Sequence, residues 1–535
     1  MAAMTRGRPH KLQRMDGLGE MVALVAIAVI GTALARKLGL LAPIVLVVVG
    51  LGMSFLPFAP EVHLEPELVL VGILPPLLYV AAIEMSVPAF RFNLRPILLL
   101  AVGLVVLTAF AVGTVLHLLL PEVPYALCVA LGAVVAPPDA VAATAVARRI
   151  GLPRRLVTIL EGESLINDAT ALVLLRVSVA AATGAAVGFF DVTLDVVRAA
   201  GGGFAIGAAG ALLIAFIHKR IKDPLIDTAL SLLTPFLIML PAEAAHSSGV
   251  VAVVVAGLYL GHRFPTLMSA ASRLQMDGFW RIARFLLEGM VFLLVGLQLR
   301  DIVRDLDNPW SEVIKVTAAV VLTLIAVRFV WVFPATYVAR LIPRVRRRDP
   351  LPPASFPWVI SWAGMRGVVT LAAALALPET SEVAYPRELF VWLAFAVIVV
   401  TLVMQGATLP WYARRFRVPP DDPTQDTLAE AAIQNAASRA ARDRLEALAD
   451  GAPTATVERL RELADHRTNK AWERLGGATE TPSRAYGRLR REMIDAERAV
   501  FRNARDEGRI AEEVLRRAQR DLDLEESLLQ RTTEE

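Results

Sequence analysis

The chain has 535 residues, 56% of them hydrophobic and 20% charged, with a formal net charge of +4 and a mean hydropathy of +0.55. A single soluble core needs far less apolar residue than this, and the runs suited to helices of ~20 residues identify an all-α polytopic membrane protein. A small net charge without basic clusters among aromatics gives nucleic acid binding no support, and the one cysteine, Cys128, lies in an apolar run and excludes an intrachain disulfide.

Thirteen spanning segments are predicted, at 19–35, 40–56, 69–85, 97–119, 125–147, 156–180, 196–217, 226–241, 249–260, 285–299, 313–338, 356–377 and 390–409. An N-terminal segment, 1–18, precedes a transmembrane domain at 19–411. The connections after segments one, three, five, seven, nine and eleven carry most of the Lys and Arg, from Arg36/Lys37 to Arg340/Arg344/Arg346/Arg347/Arg348. Positive connections stay in the cytoplasm, so the C-terminus is expected inside and the N-terminus outside. Arg6, Arg8, Lys11 and Arg14 run against that orientation. Reading residues 1–35 as a signal peptide ending at Thr32-Ala33-Leu34-Ala35 would remove the conflict, but the apolar core continues into a basic loop and a second span, which favours a retained helix.

Composition changes abruptly after Arg417. The tail, taken as 412–535, is rich in Ala, Arg, Glu and Asp and is predicted to be soluble and α-helical. Leu428, Ile433, Met493, Val500, Ile510 and Val514 form narrow apolar stripes for helix packing within the tail or against a second copy, and Gly508 reads as a helix C-cap.

Three segments break the apolar pattern together. In the sixth, Glu161, Ser164 and Asp168 are three and four residues apart and share one stripe of a helix, with Glu163 and Asn167 on the adjacent stripe. At 1.5 Å per residue Asp168 lies ~20 Å beyond Arg155, near mid-bilayer. Ionisable groups at that depth mark an ion or proton pathway. In the fifth, Pro137 and Pro138 have no N–H, so the carbonyls of Ala133 and Val134 lose their partners and the helix opens beside Asp139. Broken backbone at membrane depth lines a cavity or packs inside protein, and freed carbonyls with a carboxylate suit a small hard cation. In the twelfth, Arg366 sits near the centre of its span between Gly364 and Gly367 and needs a buried anion. Interrupted helices 5 and 12, seven spans apart, indicate two inverted six-helix repeats.

These residues resemble a known family. Gly162-Glu163-Ser164-Leu165-Ile166-Asn167-Asp168, Ala136-Pro137-Pro138-Asp139, Gly364-Met365-Arg366-Gly367 and Leu74-Pro75-Pro76-Leu77-Leu78 are similar to motifs of the first cation/proton antiporter family, the sodium/proton exchangers, over roughly residues 20–411. The resemblance implies that Asp168 binds cation and proton in turn, that Na⁺ at Asp168 also meets Asp139 and Ser164, with Asn167 beside them, and that Glu163 pairs with Arg366. It also implies a homodimer in a bacterial inner membrane, with monovalent cations and protons as cargo and no cofactor. Two departures stand out. Pro138 occupies the place of a Thr and Ala140 that of a Pro, so a hydroxyl ligand is missing, and Val80 stands where relatives often have an acid, with Glu84 four residues on.

Desolvation favours a neutral carboxylic acid and a bound cation favours the carboxylate, so proton and Na⁺, Li⁺ or K⁺ compete for Asp168. With Asn167 rather than a second acid beside it, the expected exchange is electroneutral. Glu288 and Arg176 are further intramembrane charges, read as members of structural ion pairs. A cation channel and a metal-dependent lipid-modifying enzyme using Asp139 and Asp168 are the alternatives, but the chain has no repeated filter loop or His-rich metal set. No Gly-x-x-x-x-Gly-Lys loop occurs either.

Overall fold

The computed structural model describes residues 10–56, 65–183, 189–341, 343–349, 351–378, 385–450, 452–473, 482–507 and 509–534. They form two compact units, Met1–Pro420 and Asp421–Glu535. Gly508, Arg6 and Arg8 lie outside the described residues.

The first unit is built from α1 (His10–Leu38), α2 (Ala42–Ser54), α3 (Leu74–Glu84), α4 (Val87–Phe92), α5 (Leu94–Leu98), α6 (Val105–Leu119), α7 (Tyr125–Val135), α8 (Ala140–Arg149), α9 (Arg154–Ala182) and α10 (Phe189–His218). It continues with α11 (Pro224–Ala244), α12 (Gly249–Leu267), α13 (Ala270–Leu297), α14 (Leu299–Arg304), α15 (Trp310–Tyr337), α16 (Pro343–Arg348), α17 (Ser355–Trp362), α18 (Val368–Leu375) and α19 (Arg387–Arg415). Among the described residues nine helices are long and apolar enough to cross a membrane, and Ala42–Ser54, Leu68–Glu84 and Tyr125–Val135 are shorter apolar helices. Helix α1 runs without a break through Thr32 and Ala35.

Local chemistry sets the helix ends. Gly39, at φ +64°, closes α1 as its amide and that of Leu40 turn back to Arg36 and Ala35. Asp139, Asp223, Ser248 and Ser269 accept backbone N–H groups at the starts of α8, α11, α12 and α13. A wider π turn, Leu68–Ile73, leads into α3 and accommodates Pro75 and Pro76, whose rings would crowd a regular turn. A second one, Leu99–Leu104, joins α5 to α6.

Small residues let the helices touch at their backbones, as apolar surroundings require. A methyl group added at Gly132 on α7 would overlap the Ala109 carbonyl oxygen on α6. Gly50 and Gly296 face each other across α2 and α13 in the same way. Cys128 is fully buried on α7.

In the second unit α20 (Pro423–Glu446) packs on α21 (Thr454–Glu473) and α22 (Pro482–Asp506) on α23 (Glu512–Glu534). Their buried apolar side chains, among the described residues, are Ala431, Val457, Ile494, Leu515 and Leu522, whereas Ile433, Met493 and Val500 are exposed. The stripes read from the sequence are therefore rotated off the true contact face, one residue turning a helix by about 100°. Arg490 binds Glu525 and Glu497, each at 2.7 Å, and holds α22 to α23.

Candidate ion-binding site

Two interrupted helices meet side by side in the first unit. Helix α7 stops at Val135 and α8 starts at Ala140; α17 stops at Trp362 and α18 starts at Val368. The gaps are joined directly, with the Asp139 N–H donating to the Met365 carbonyl at 2.7 Å. Asp139 also caps α8, its carboxylate accepting the Val141 N–H at 3.0 Å. The positive end of that helix faces its charge.

Arg366 is 2% exposed and fastens one break to the other. Its Nε donates to the Val135 carbonyl at 3.0 Å, Nη2 to that of Ala136 at 3.2 Å and Nη1 to that of Gly364, while its backbone N–H donates to Thr401 Oγ1 at 3.1 Å. The cation thus sits on the negative end of α7. This corrects two expectations. The carbonyls opened by Pro137-Pro138 that matter are Val135 and Ala136, because Ala133 keeps a bond from the Ala136 N–H at 3.4 Å. They bind Arg366, so they are not ligands for a cation in this conformation.

The second correction concerns Glu163. It pairs with Arg328 of α15 and not with Arg366: Arg328 Nη1 and Nη2 lie 2.6 and 2.8 Å from its two oxygens, and Nε donates to the Ile360 carbonyl at 2.9 Å. Both partners are fully buried. One bidentate guanidinium uses both carboxylate oxygens, and backbone carbonyls meet the needs of Arg366. Sequence reasoning passes over Arg328, although it stands within an apolar run as isolated as Arg366 in its own.

Asp168 is 7% exposed on α9. With Asp139 and Ser164 it lines a cavity of about 250 Å³ whose wall also includes Glu84, Arg148, Glu161, Arg284 and Glu288. These rim charges pair: Arg148 with Glu161 at 2.8 Å, and Arg284 with Glu84 at 2.8 Å and Glu288 at 3.6 Å. Arg176 pairs elsewhere, with Glu243 at 3.1 Å. Asp168 also borders a second, very small cavity whose other lining residues, among them Ala133, Val134, Pro137, Leu172 and Val369, are apolar. Asn167 lies outside the cavity lining; its Nδ2 donates to the Pro138 carbonyl at 2.8 Å, and its buried Oδ1 has no hydrogen-bond partner. Gly367 permits the crossing, since a methyl there would stand 2.6 to 2.8 Å from Asp139 Cβ, Cγ and Oδ2.

Among the described residues no group of three or more His, Cys, Asp or Glu is placed to hold a metal ion. Sequence reasoning also missed a buried pair outside the site, His218 and Asp227, 2.5 Å apart between α10 and α11.

Residues 24–415 match the family model described as sodium/hydrogen exchanger, transmembrane. An uncharacterised Na(+)/H(+) exchanger of Mycobacterium tuberculosis is 37% identical over 95% of this chain and 96% of its own length. A sodium, potassium, lithium and rubidium/H(+) antiporter of Bacillus subtilis is 32% identical over 74% of this chain and 61% of its own. The fold is similar to that of the sodium proton antiporter MjNhaP1 of Methanocaldococcus jannaschii, with a TM-score of 0.59 at 17% identity over 75% of this chain and 99% of that one.

Proposed function

Since the chain belongs to the sodium/hydrogen exchanger family, and is a transporter rather than an enzyme, we propose that it exchanges Na⁺, or Li⁺ or K⁺, for H⁺ electroneutrally by competition at Asp168. One observation carries this reading: Asp168, Asp139 and Ser164 line a single cavity that ends at the crossing of the two broken helices. Oxygen ligands from two carboxylates and a hydroxyl suit a small monovalent cation, and Asn167, outside the cavity lining, acts on the site through the Pro138 carbonyl that its Nδ2 holds.

Charge counting supports the stoichiometry. Glu163, Asp139 and Asp168 are three carboxylates, and Arg328 and Arg366 two guanidiniums, in one buried neighbourhood. Glu163 is matched by Arg328, Asp139 caps the N-terminus of α8, and Arg366 supplies the second positive charge of the neighbourhood. One negative charge remains, at Asp168, and one proton or one monovalent cation neutralises it. Fixed charges moving with the carrier cross in both directions and cancel.

The cavity wall includes Arg148, which is largely exposed and whose connection the charge pattern assigns to the cytoplasm, and this supports reading the conformation as inward-facing. In the same reading the chain makes thirteen spans as two inverted repeats in a bacterial inner membrane, with the tail cytoplasmic, the N-terminus external and a second copy completing a homodimer. In this reading the two interrupted helices, α7–α8 and α17–α18, and the shorter apolar helices Ala42–Ser54 and Leu68–Glu84 are the spans beyond the nine long ones.

Purified protein in vesicles with a trapped pH dye tests the proposal. Each alkali cation that is a substrate should release protons, and Asp168→Asn should abolish the signal while the protein remains folded in detergent. Clamping the potential with K⁺ and valinomycin should leave the rate unchanged. Substantial exchange by Asp168→Asn refutes the site, and a strongly voltage-dependent rate refutes the one-for-one exchange.

A further inference from the structure

A cluster of arginines that the exchange mechanism does not use lies on the first unit where three basic connections converge. Arg95 is in α5, Arg155 in the first turn of α9, and Arg340 follows α15, yet all three reach the carboxylate of Asp349. Arg155 Nη2 is 2.5 Å from Oδ1 and Arg340 Nη2 2.6 Å from Oδ2. Arg95 Nη1 stands 3.5 Å from Oδ2 and, though buried, makes no hydrogen bond. Arg155 spends its Nε on Asn93 Oδ1, at 3.1 Å, and Arg340 its Nε on the Asp349 backbone carbonyl, at 3.2 Å.

Burial pushes the Asp349 carboxyl up, but hydrogen bonds from Arg155 and Arg340 outweigh it and hold the group below the usual carboxylate range. Asp349 is therefore ionised at neutral pH, and among the described residues it is one carboxylate shared by three guanidiniums, an excess of two positive charges.

The same arginines edge a cleft of about 40 Å³ with an apolar wall that includes Leu99, Val332 and Ile360. That space is too small for an acyl chain. Outside it, Phe92, Leu98 and Val338 are 60%, 41% and 58% exposed within a few residues of the arginines. Positive charge at the polar edge of an apolar, chain-facing surface suits a ligand with an anionic head and hydrocarbon tails better than a free anion.

We propose that Arg95, Arg155 and Arg340 bind the phosphodiester headgroup of an anionic phospholipid at the cytoplasmic interface, with its chains along Phe92, Leu98 and Val338. Guanidinium forks match phosphate oxygens, and basic pockets between membrane helices on this side take such headgroups. Arg95 Nη1, which makes no hydrogen bond in this structure, is a donor that the phosphate gains once it displaces the Asp349 carboxylate. Asp349 then acts as an internal competitor that holds the arginines ready when the lipid is absent. Because Arg155 begins the helix of Asp168 and Arg340 follows that of Arg328, a bound lipid ties the feet of these two helices together.

The full chain, purified and delipidated in detergent, is heated with phosphatidylglycerol, phosphatidylcholine or inorganic phosphate, and its unfolding midpoint is followed. Only the anionic lipid should raise the midpoint, by several degrees. Arg95→Gln should remove at least half of that shift, and Asp349→Asn, which deletes the competitor, should enlarge it. Equal shifts with phosphate and lipid would make this a free-anion site and overturn the lipid assignment. Equal shifts with both lipids, or a shift unchanged in both variants, would overturn the site altogether.

Discussion

The pairing of Glu163 with Arg328 can be tested by a double-mutant cycle that also distinguishes it from the rival pairing with Arg366. Glu163→Gln leaves Arg328, which has 2% side-chain exposure, without an anion and close to a second guanidinium. Removing one partner of a buried pair costs about 3–5 kcal/mol, a large share of the roughly 5–15 kcal/mol by which a protein is stable. Arg328→Met should cost a similar amount, for it strands the carboxylate and also frees the Ile360 carbonyl. The double variant removes both charges together, so its loss should fall short of the sum by about 2 kcal/mol or more, within the range found for contacting residues. In the parallel cycle with Arg366→Gln the coupling should be clearly smaller, because Glu163 and Arg366 share no hydrogen bond and meet only through the charges of one neighbourhood. The readout is the thermal midpoint in detergent at matched scan rate, converted with one unfolding entropy for all variants. Additive losses for Glu163 and Arg328, or equal coupling in the two cycles, would refute the assignment.

Three further outcomes follow from the geometry. Gly367→Ala should cut exchange at least tenfold and cost about 1–3 kcal/mol, because the new methyl meets the Asp139 carboxyl while a φ of −120° is open to any residue; an unchanged vesicle rate would show that Asp139 gives way freely. Asn167→Ala leaves the Pro138 carbonyl without its donor and should lower stability by about 1–3 kcal/mol, and it should raise the Na⁺ concentration for half-maximal exchange several-fold; an unchanged value would make Asn167 purely structural. Asp349 has a folded-state value below its unfolded one, so its stabilisation is complete above about pH 4 and is lost as pH falls through the folded value. Asp349→Asn should flatten the acid limb of the midpoint-versus-pH curve, and an unaltered limb would refute its role.

Depth along a helix is legible in a sequence, because rise per residue is fixed, and so Asp168 and Arg366 could be singled out as buried charges in apolar runs. The proline pair announced the gap between α7 and α8, since two missing donors cannot be hidden in a helix. Partner choice was not legible. Whether Glu163 meets Arg328 or Arg366 depends on how α9, α15 and α17 are rotated about their axes, and neither spacing nor hydropathy carries that angle. The carbonyls freed at the break were misjudged for a related reason: a tighter last turn, with the Ala136 N–H on the Ala133 carbonyl, moves the opening to Val135 and Ala136, and the guanidinium arrives from more than two hundred residues away. In the tail, sparse apolar residues left two neighbouring stripes nearly equivalent, and burial of Ile494 rather than Met493 depends on ion pairs such as Arg490 with Glu525.

The long reach of these pairs has a consequence for biogenesis. Arg328 lies 165 residues after Glu163, and Arg366 231 residues after Val135. At a synthesis rate of ~5–20 residues per second, Glu163 enters the membrane roughly 8–30 s before its partner exists. During that interval a lone carboxylate on α9 carries the full penalty of intramembrane charge unless it holds a proton or keeps to the insertion machinery. Arg328 therefore does more than fasten two finished helices: its arrival is the moment at which α9 can be released into lipid, and nascent chains truncated before α15 should remain with the translocon or be degraded.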